Sequence, residues 1–323
     1  MANQEYAHPE LGGVIRKILL TVSVIILPCI QWSIFGWLHI VFPLLSFFML
    51  SKYGLQVGRR LLLTAVAISF AVYIGLNSAD LFVFSIALLF TGYILFKSTE
   101  RHDTPALSGF KAFIVLAGCW FIVLNILSVE PGLSAYGQLI KALDEGIIET
   151  LKYYRQSSKF EAETLLMLET TLIQMRALVP VIMPAILASF VLFIIWFTMV
   201  VGNILVSQIC GKAAWTSYRF WRLPDKLIWL VICMGVVVLI PHSLLRLLSI
   251  NSLILLAIIY CFQGLAINVF FMNKWNVPLL LRSFIYVMII FQSLGTLLLL
   301  VFGIADIWFD FRKLRISTEK TGD

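Results

Sequence analysis

The chain has 323 residues, of which 61% are hydrophobic and only 13% charged. Soluble domains are closer to half apolar and a quarter charged, so this composition excludes a soluble globular protein and indicates an integral membrane protein. The net charge of +7 does not point to nucleic acid, because the basic residues sit mostly in short stretches between apolar runs, as in loops that face anionic headgroups.

A crossing helix needs roughly 20 mostly apolar residues. By that measure the chain offers segments at 12–29, 33–51, 60–77, 79–96 and 106–128, then, after a polar interruption, at 179–206, 227–245, 250–272 and 279–304. The expected fold is all-α: a polytopic transmembrane bundle of eight or nine apolar segments, with an amphipathic helical hairpin outside the hydrocarbon. The chain divides accordingly into 1–128, the hairpin at 129–178, a C-terminal membrane block at 179–312 and a polar tail at 313–323. Pro28 and Pro43, with Trp32, Gly36 and Trp37 between them, leave the first two segments as two short spans or as one span and a re-entrant stretch. Residues 1–10 are polar and no small-residue cleavage site follows, so no cleaved leader is expected.

Arg16 and Lys17, then Lys52, Arg59 and Arg60, then Lys97, Arg101 and Lys111, then Lys212, Arg219, Arg222 and Lys226 all fall on one side. The positive-inside rule makes that side, and the N-terminus, cytoplasmic. Nine crossings would put Arg312, Lys313, Arg315 and Lys320 on the other side, against the same rule. One segment is therefore expected not to cross.

The interruption at 129–178 is patterned. Tyr136, Leu139, Ile140, Leu143, Ile147, Leu151 and Tyr154 recur at helical spacing, with Lys141, Asp144, Glu145, Glu149 and Lys152 between them. Ser158 and Glu161 match a capping box for a second helix, whose Leu165, Leu168, Leu172 and Met175 share a face until Pro180. Such a pair lies on the membrane, caps the bundle or receives a protein partner.

Cys29, Cys119, Cys210, Cys233 and Cys261 are scattered singly, and the four histidines are isolated, so no disulfide framework, metal site or cofactor is expected. HExxH, GxSxG and Walker patterns are missing, and His39 and His242 have no matching Ser or Asp motif, so catalysis is not expected. Polar side chains inside the apolar runs carry more information, because an unpaired one in hydrocarbon is costly. They are Asn125, Asn203, Gln208, Asn251, Gln263, Asn268 and Gln292. Each is read either as an interhelical hydrogen bond or, for Gln263 with Gly264 and Asn268, as the lining of a ligand pocket. Gly264 would let a backbone or a ligand approach closely.

Two polar bookends frame the C-terminal block: Arg219-Phe220-Trp221-Arg222-Leu223-Pro224-Asp225 and Asp306-Ile307-Trp308-Phe309-Asp310-Phe311-Arg312. Asp306 and Asp310 share a helix face, and Arg312 is too close in sequence to face Asp310. The carboxylates are expected to pair with Arg219 or Arg222 and lock the last spans together, with Arg222, Pro224, Asp225, Asp306, Trp308, Asp310 and Arg312 forming the interface motif.

Phe220-x-Arg222-Leu223-Pro224-Asp225, Phe262-Gln263-Gly264-Leu265-Ala266 and Gly303-x-x-Asp306-x-Trp308-x-Asp310-x-Arg312 resemble the C-terminal half of the YybS-like family of bacterial multi-pass membrane proteins. Pro28, Pro43-Leu44-Leu45 and the stretch from Gly54 to Arg59 resemble its early spans. The family has no assigned activity, but it is distantly similar to the S-components of energy-coupling-factor transporters. Those bind a vitamin or metal and dock on a shared membrane subunit with paired ATPases. The resemblance implies a bacterial inner-membrane protein that binds a small solute as part of transport. The alternative is a scaffold that recruits another protein through 129–178. The expected partners are the lipid bilayer with a solute or a protein, and not nucleic acid.

Overall fold

A computed structural model describes residues 11–126, 134–156 and 162–313, and among them every regular element is helical. In chain order these are α1 (Leu11–Ile30), α2 (Trp32–Phe35), a 3₁₀ turn (Gly36–Val41), α3 (Phe42–Gly75), α4 (Ala79–Glu100), α5 (Pro105–Ile126) and α6 (Ala135–Gln156). Then come α7 (Ala162–Cys210), a short 3₁₀ turn (Tyr218–Phe220), α8 (Leu227–Val237), α9 (Ser243–Lys274), α10 (Leu279–Phe291) and α11 (Ser293–Phe309). Six stretches among the described residues are long and apolar enough to cross a membrane, or seven if the bent pair α10–α11 counts as one span.

The nine segments read from the sequence reduce to this number for two physical reasons. Segments 33–51 and 60–77 belong to one 44-residue stretch, Trp32–Gly75, broken at Gly54, whose φ of +75° is the left-handed conformation that glycine tolerates. The bend is sharp enough to bring Gly58 against the backbone of Met49 and Leu50. Segment 227–245 yields only the 11-residue helix α8. At 1.5 Å per residue α8 is about 16 Å long, short of a hydrocarbon core of about 30 Å.

The chain forms two compact units, Met1–Val123 with Phe193–Trp215, and Leu124–Leu192 with Thr216–Asp323. In the first, α3 and α4 meet where a Cβ on Gly92 would lie 2.3 Å from the Pro43 carbonyl oxygen, so only glycine lets the backbones approach this closely. The fully buried Tyr73 donates its hydroxyl to the Ile25 carbonyl of α1 (2.9 Å). After α7, Gly211 (φ +69°) turns the chain back and Trp215 is buried. Trp215 stacks on Phe47 at 5.3 Å and donates its indole N–H to Ser108 Oγ (3.1 Å). Asn203 accepts from the Trp215 N–H (2.9 Å) and donates to its carbonyl (3.1 Å), satisfying both backbone groups of a segment without a ladder.

In the α4–α5 turn, Asp103 accepts from Lys111 Nζ and Ser98 Oγ, both at 2.5 Å. The Lys111 hydrogen bond, helped by Ser98, holds the carboxyl below the usual carboxylate range. A carboxyl depressed in the folded state stabilises above its unfolded pKa of about 3.9, and the stabilisation is lost as pH falls through the lower folded value. Acid titration of the detergent-solubilised protein should therefore lower its unfolding temperature below about pH 4 more steeply than for Asp103→Asn. Parallel curves would show that the contact contributes nothing.

In the second unit, α6 lies on the N-terminal part of α7. Arg155 bonds Glu169 at 2.6 Å, Arg176 binds both carboxylate oxygens of Asp144, and the Tyr136 hydroxyl donates to the Pro180 carbonyl at 2.6 Å. As the α6 residue falls from 155 to 144 to 136, its α7 partner rises from 169 to 176 to 180, so the pair is antiparallel. The second helix of the expected hairpin does not end before Pro180: α7 continues through Pro180 and Pro184 to Cys210. The capping box at Ser158 and Glu161 lies outside the described residues.

Candidate functional site

Two features of the second unit gather its intramembrane polar groups. The first is a repair of the α7 backbone. Proline has no N–H, so Pro184 frees the Pro180 carbonyl, which receives the Tyr136 hydroxyl instead. One residue on, Asn251 of α9 enters the helical ladder. Its Oδ1 accepts from the Ala185 N–H (2.8 Å), and its Nδ2 donates to the Val181 carbonyl (2.8 Å) that Ala185 would otherwise serve. A side-chain amide thus replaces one turn of helix bonding, as membrane helices need where the backbone opens.

The second is the α9–α11 crossing. A Cβ on Gly264 would lie 1.9 Å from the Leu299 carbonyl oxygen, and one on Gly303 would lie 2.0 Å from that of Tyr260. The two glycines bring the backbones together and bury Tyr260 and Ile307 with Ile228 of α8. One turn from the crossing, Gln263 donates to Asp306 Oδ2 (3.1 Å) and accepts from the Leu223 N–H (3.0 Å). Asp306 also accepts from Arg312 Nη2 (2.8 Å), through an ion pair whose side chains are both fully buried, and from the Phe311 N–H (3.1 Å). Arg312 Nη1 then donates to the carbonyls of Arg219 (2.9 Å) and Trp221 (2.8 Å). The bookends meet through this chain of bonds.

The pairing differs from the expected one. Asp306 is neutralised by Arg312, six residues on, rather than by Arg219 or Arg222. The reason is Asp310, whose left-handed conformation (φ 40°, ψ 56°) ends α11 and turns Arg312 back towards Asp306. Arg222 pairs with its neighbour Asp225 at 2.9 Å, beyond Pro224, and Trp308 faces outward, 62% exposed. Among the three residues read as pocket lining, Gln263 and Gly264 are buried in the crossing. Asn268 stands apart: its Oδ1 is buried and has no hydrogen-bond partner among the described residues.

His39, which has no matching Ser or Asp motif in the sequence, is supplied by the fold with a serine 46 residues away: Nε2 lies 3.1 Å from Ser85 Oγ and Nδ1 lies 3.1 Å from the Gly36 carbonyl. The contact ties the 3₁₀ turn to α4. No sequence pattern signals it. Asn251 was visible as an intramembrane amide, but nothing local joins it to the α7 backbone beside Pro184.

Arg312 touches Arg219 and Trp221, so the end of α11 and the basic segment before α8 lie together. Cysteines placed at Lys313 and at Lys226 should accept a membrane-impermeant maleimide from the same side of sealed vesicles. Labelling from opposite sides would contradict this placement.

These features define an all-helical, multi-pass membrane protein whose C-terminal helices are joined by a buried ion pair and amide. The chain belongs to the family described as predicted membrane protein (DUF2232), whose model matches residues 18–307. Comparison with curated proteins and with solved structures finds no match.

Proposed function

We propose that the protein is a solute-binding component of membrane transport in a bacterial inner membrane, with a cytoplasmic N-terminus, in keeping with its resemblance to the YybS-like family and the S-components. The observation that carries this reading is Asn268. An unpaired amide oxygen in an apolar environment is costly, and a donor group on a bound solute would satisfy it. Gln263 and Gly264 hold α9 against α11, and Asn268, five residues along, contacts the solute. The break between α10 and α11, a 98° bend, supports the reading, because discontinuous helices line the sites of many transporters.

The test is purification of the tagged protein in mild detergent from its native host, followed by mass spectrometry of bound small molecules. A single enriched compound that is lost from a folded Asn268→Leu variant supports the proposal. An enriched compound retained by that variant moves the site elsewhere, and no compound at all counts against solute binding.

A further inference from the structure

The described residues of the first unit hold three carboxylates, Asp80, Glu100 and Asp103, of which Glu100 is taken by Lys97 and Asp103 by Lys111. Five cations of α1 and α3, Arg16, Lys17, Lys52, Arg59 and Arg60, have no ion-pair partner among the described residues. Packing brings them together. Lys17 Nζ lies over the Tyr53 ring at 4.6 Å, and Thr21 donates its hydroxyl to Met49 Sδ at 3.3 Å. So α1 runs antiparallel to the part of α3 before Gly54, and its first turns lie beside the break. Beyond the break α3 folds back, with Gly58 against Met49 and Leu50, and Arg59 and Arg60 follow directly. Asp80 lies at the other end, two residues before Phe82, whose ring meets Tyr73 at 5.4 Å. Two of the five cations converge: Lys52 Nζ also lies over the Tyr53 ring, at 5.4 Å, so one ring carries two ammonium groups from different helices. Like charges this close repel, and the negative face of the ring offsets only part of the repulsion.

We propose that this end of α1 and α3 binds the headgroup of an anionic phospholipid, with its phosphate between Lys17 and Lys52 beside Tyr53. Arg16, Arg59 and Arg60, all exposed, complete a field of one sign around it. The cations require an anion, and the apolar surface beside them selects a lipid over a soluble one. Leu20, three residues from Lys17, is 64% exposed, and Leu63, three residues from Arg60, is 60% exposed. At that spacing each leucine shares its cation's helix face. A phosphate held by the cations therefore has apolar surface within one turn for its acyl chains, and clusters of Lys and Arg at the edge of the hydrocarbon are the sites that anionic lipids favour.

The test uses the full chain, stripped of lipid in a neutral detergent, with dioleoyl phosphatidylglycerol and dioleoyl phosphatidylcholine as probes and native mass spectrometry to count bound lipid. The native chain should retain phosphatidylglycerol over phosphatidylcholine, and the preference should weaken as salt is raised. Lys17→Gln with Lys52→Gln should cut the preference at least about fivefold, the ordinary contribution of one basic residue near an anionic surface. Lys17→Arg with Lys52→Arg should keep it, and all variants should unfold at the same temperature without lipid. Lys226→Gln with Lys274→Gln removes as much charge elsewhere and should also keep the preference. An equal loss there would overturn the proposal, because net charge and not a site would then set the preference. In the native chain, which no substitution can unfold, a phosphatidylglycerol with a diazirine in its headgroup should leave adducts on peptides covering 11–20 and 51–60. Adducts only elsewhere would overturn the proposal. So would the absence of any preference, or displacement of the lipid by inorganic phosphate, which would assign the cations to a soluble anion.

Discussion

Replacing Arg312 by methionine is expected to cost about 3–5 kcal/mol, because it strands a buried carboxylate. Asp306 would keep the Gln263 amide and the Phe311 N–H, but its side chain is fully buried and water cannot take the place of the guanidinium. The carbonyls of Arg219 and Trp221 would lose their donors at the same time. The measurement is thermal or denaturant unfolding in detergent. Removing both charges together, as Asp306→Leu with Arg312→Met, should recover much of the loss, since a buried pair costs more when broken than when absent. A double variant as unstable as the single one would show that Arg312 acts through the two carbonyls and not through the carboxylate.

Gly264→Val should be damaging on a similar scale. Its first added carbon would fall 1.9 Å from the Leu299 carbonyl oxygen and 2.6 Å from the carbonyl carbon, and backbone atoms cannot rotate away as a side chain can. The helices would have to separate, which would pull Gln263 from Asp306 and open the packing of Tyr260 and Ile307. Overpacking commonly costs about 1–3 kcal/mol, and here the loss should lie at or beyond the upper end. Gly235→Ala in α8, where an added carbon meets nothing within 4 Å, is the matched control and should be neutral or mildly stabilising. Equal effects at the two positions would contradict the close crossing.

Composition and hydropathy were enough to read an all-helical membrane protein from the sequence, because lipid forces long apolar runs into helices. The same signal missed where those runs break. Lys52, Arg59 and Arg60 split in hydropathy what the structure joins as one stretch kinked at Gly54, while Gln292 breaks the run 279–304 without interrupting its hydropathy, so segments and helices do not correspond one to one. The bookends were visible as polar clusters, but their pairing depended on the left-handed turn at Asp310, a backbone choice that residue type only permits. The α7 repair was out of reach for another reason: Asn251 and Val181 are 70 residues apart, and only the tertiary fold joins them. Amphipathic spacing located α6, whereas α7 passes from the hairpin into the membrane with no change of helix for a pattern to register.

In the proposed solute site the two amides of α9 divide the work, Gln263 holding the fold and Asn268 meeting the solute. Comparing the thermal unfolding of Gln263→Leu and Asn268→Leu in the same detergent tests it without knowledge of the ligand. Gln263→Leu removes two hydrogen bonds of the lock and should lower the unfolding temperature by several degrees. Asn268→Leu removes an unpaired buried acceptor and should leave the temperature unchanged or raise it. A fall at Asn268 as large as that at Gln263 would contradict this division, because it would make Asn268 a second structural amide.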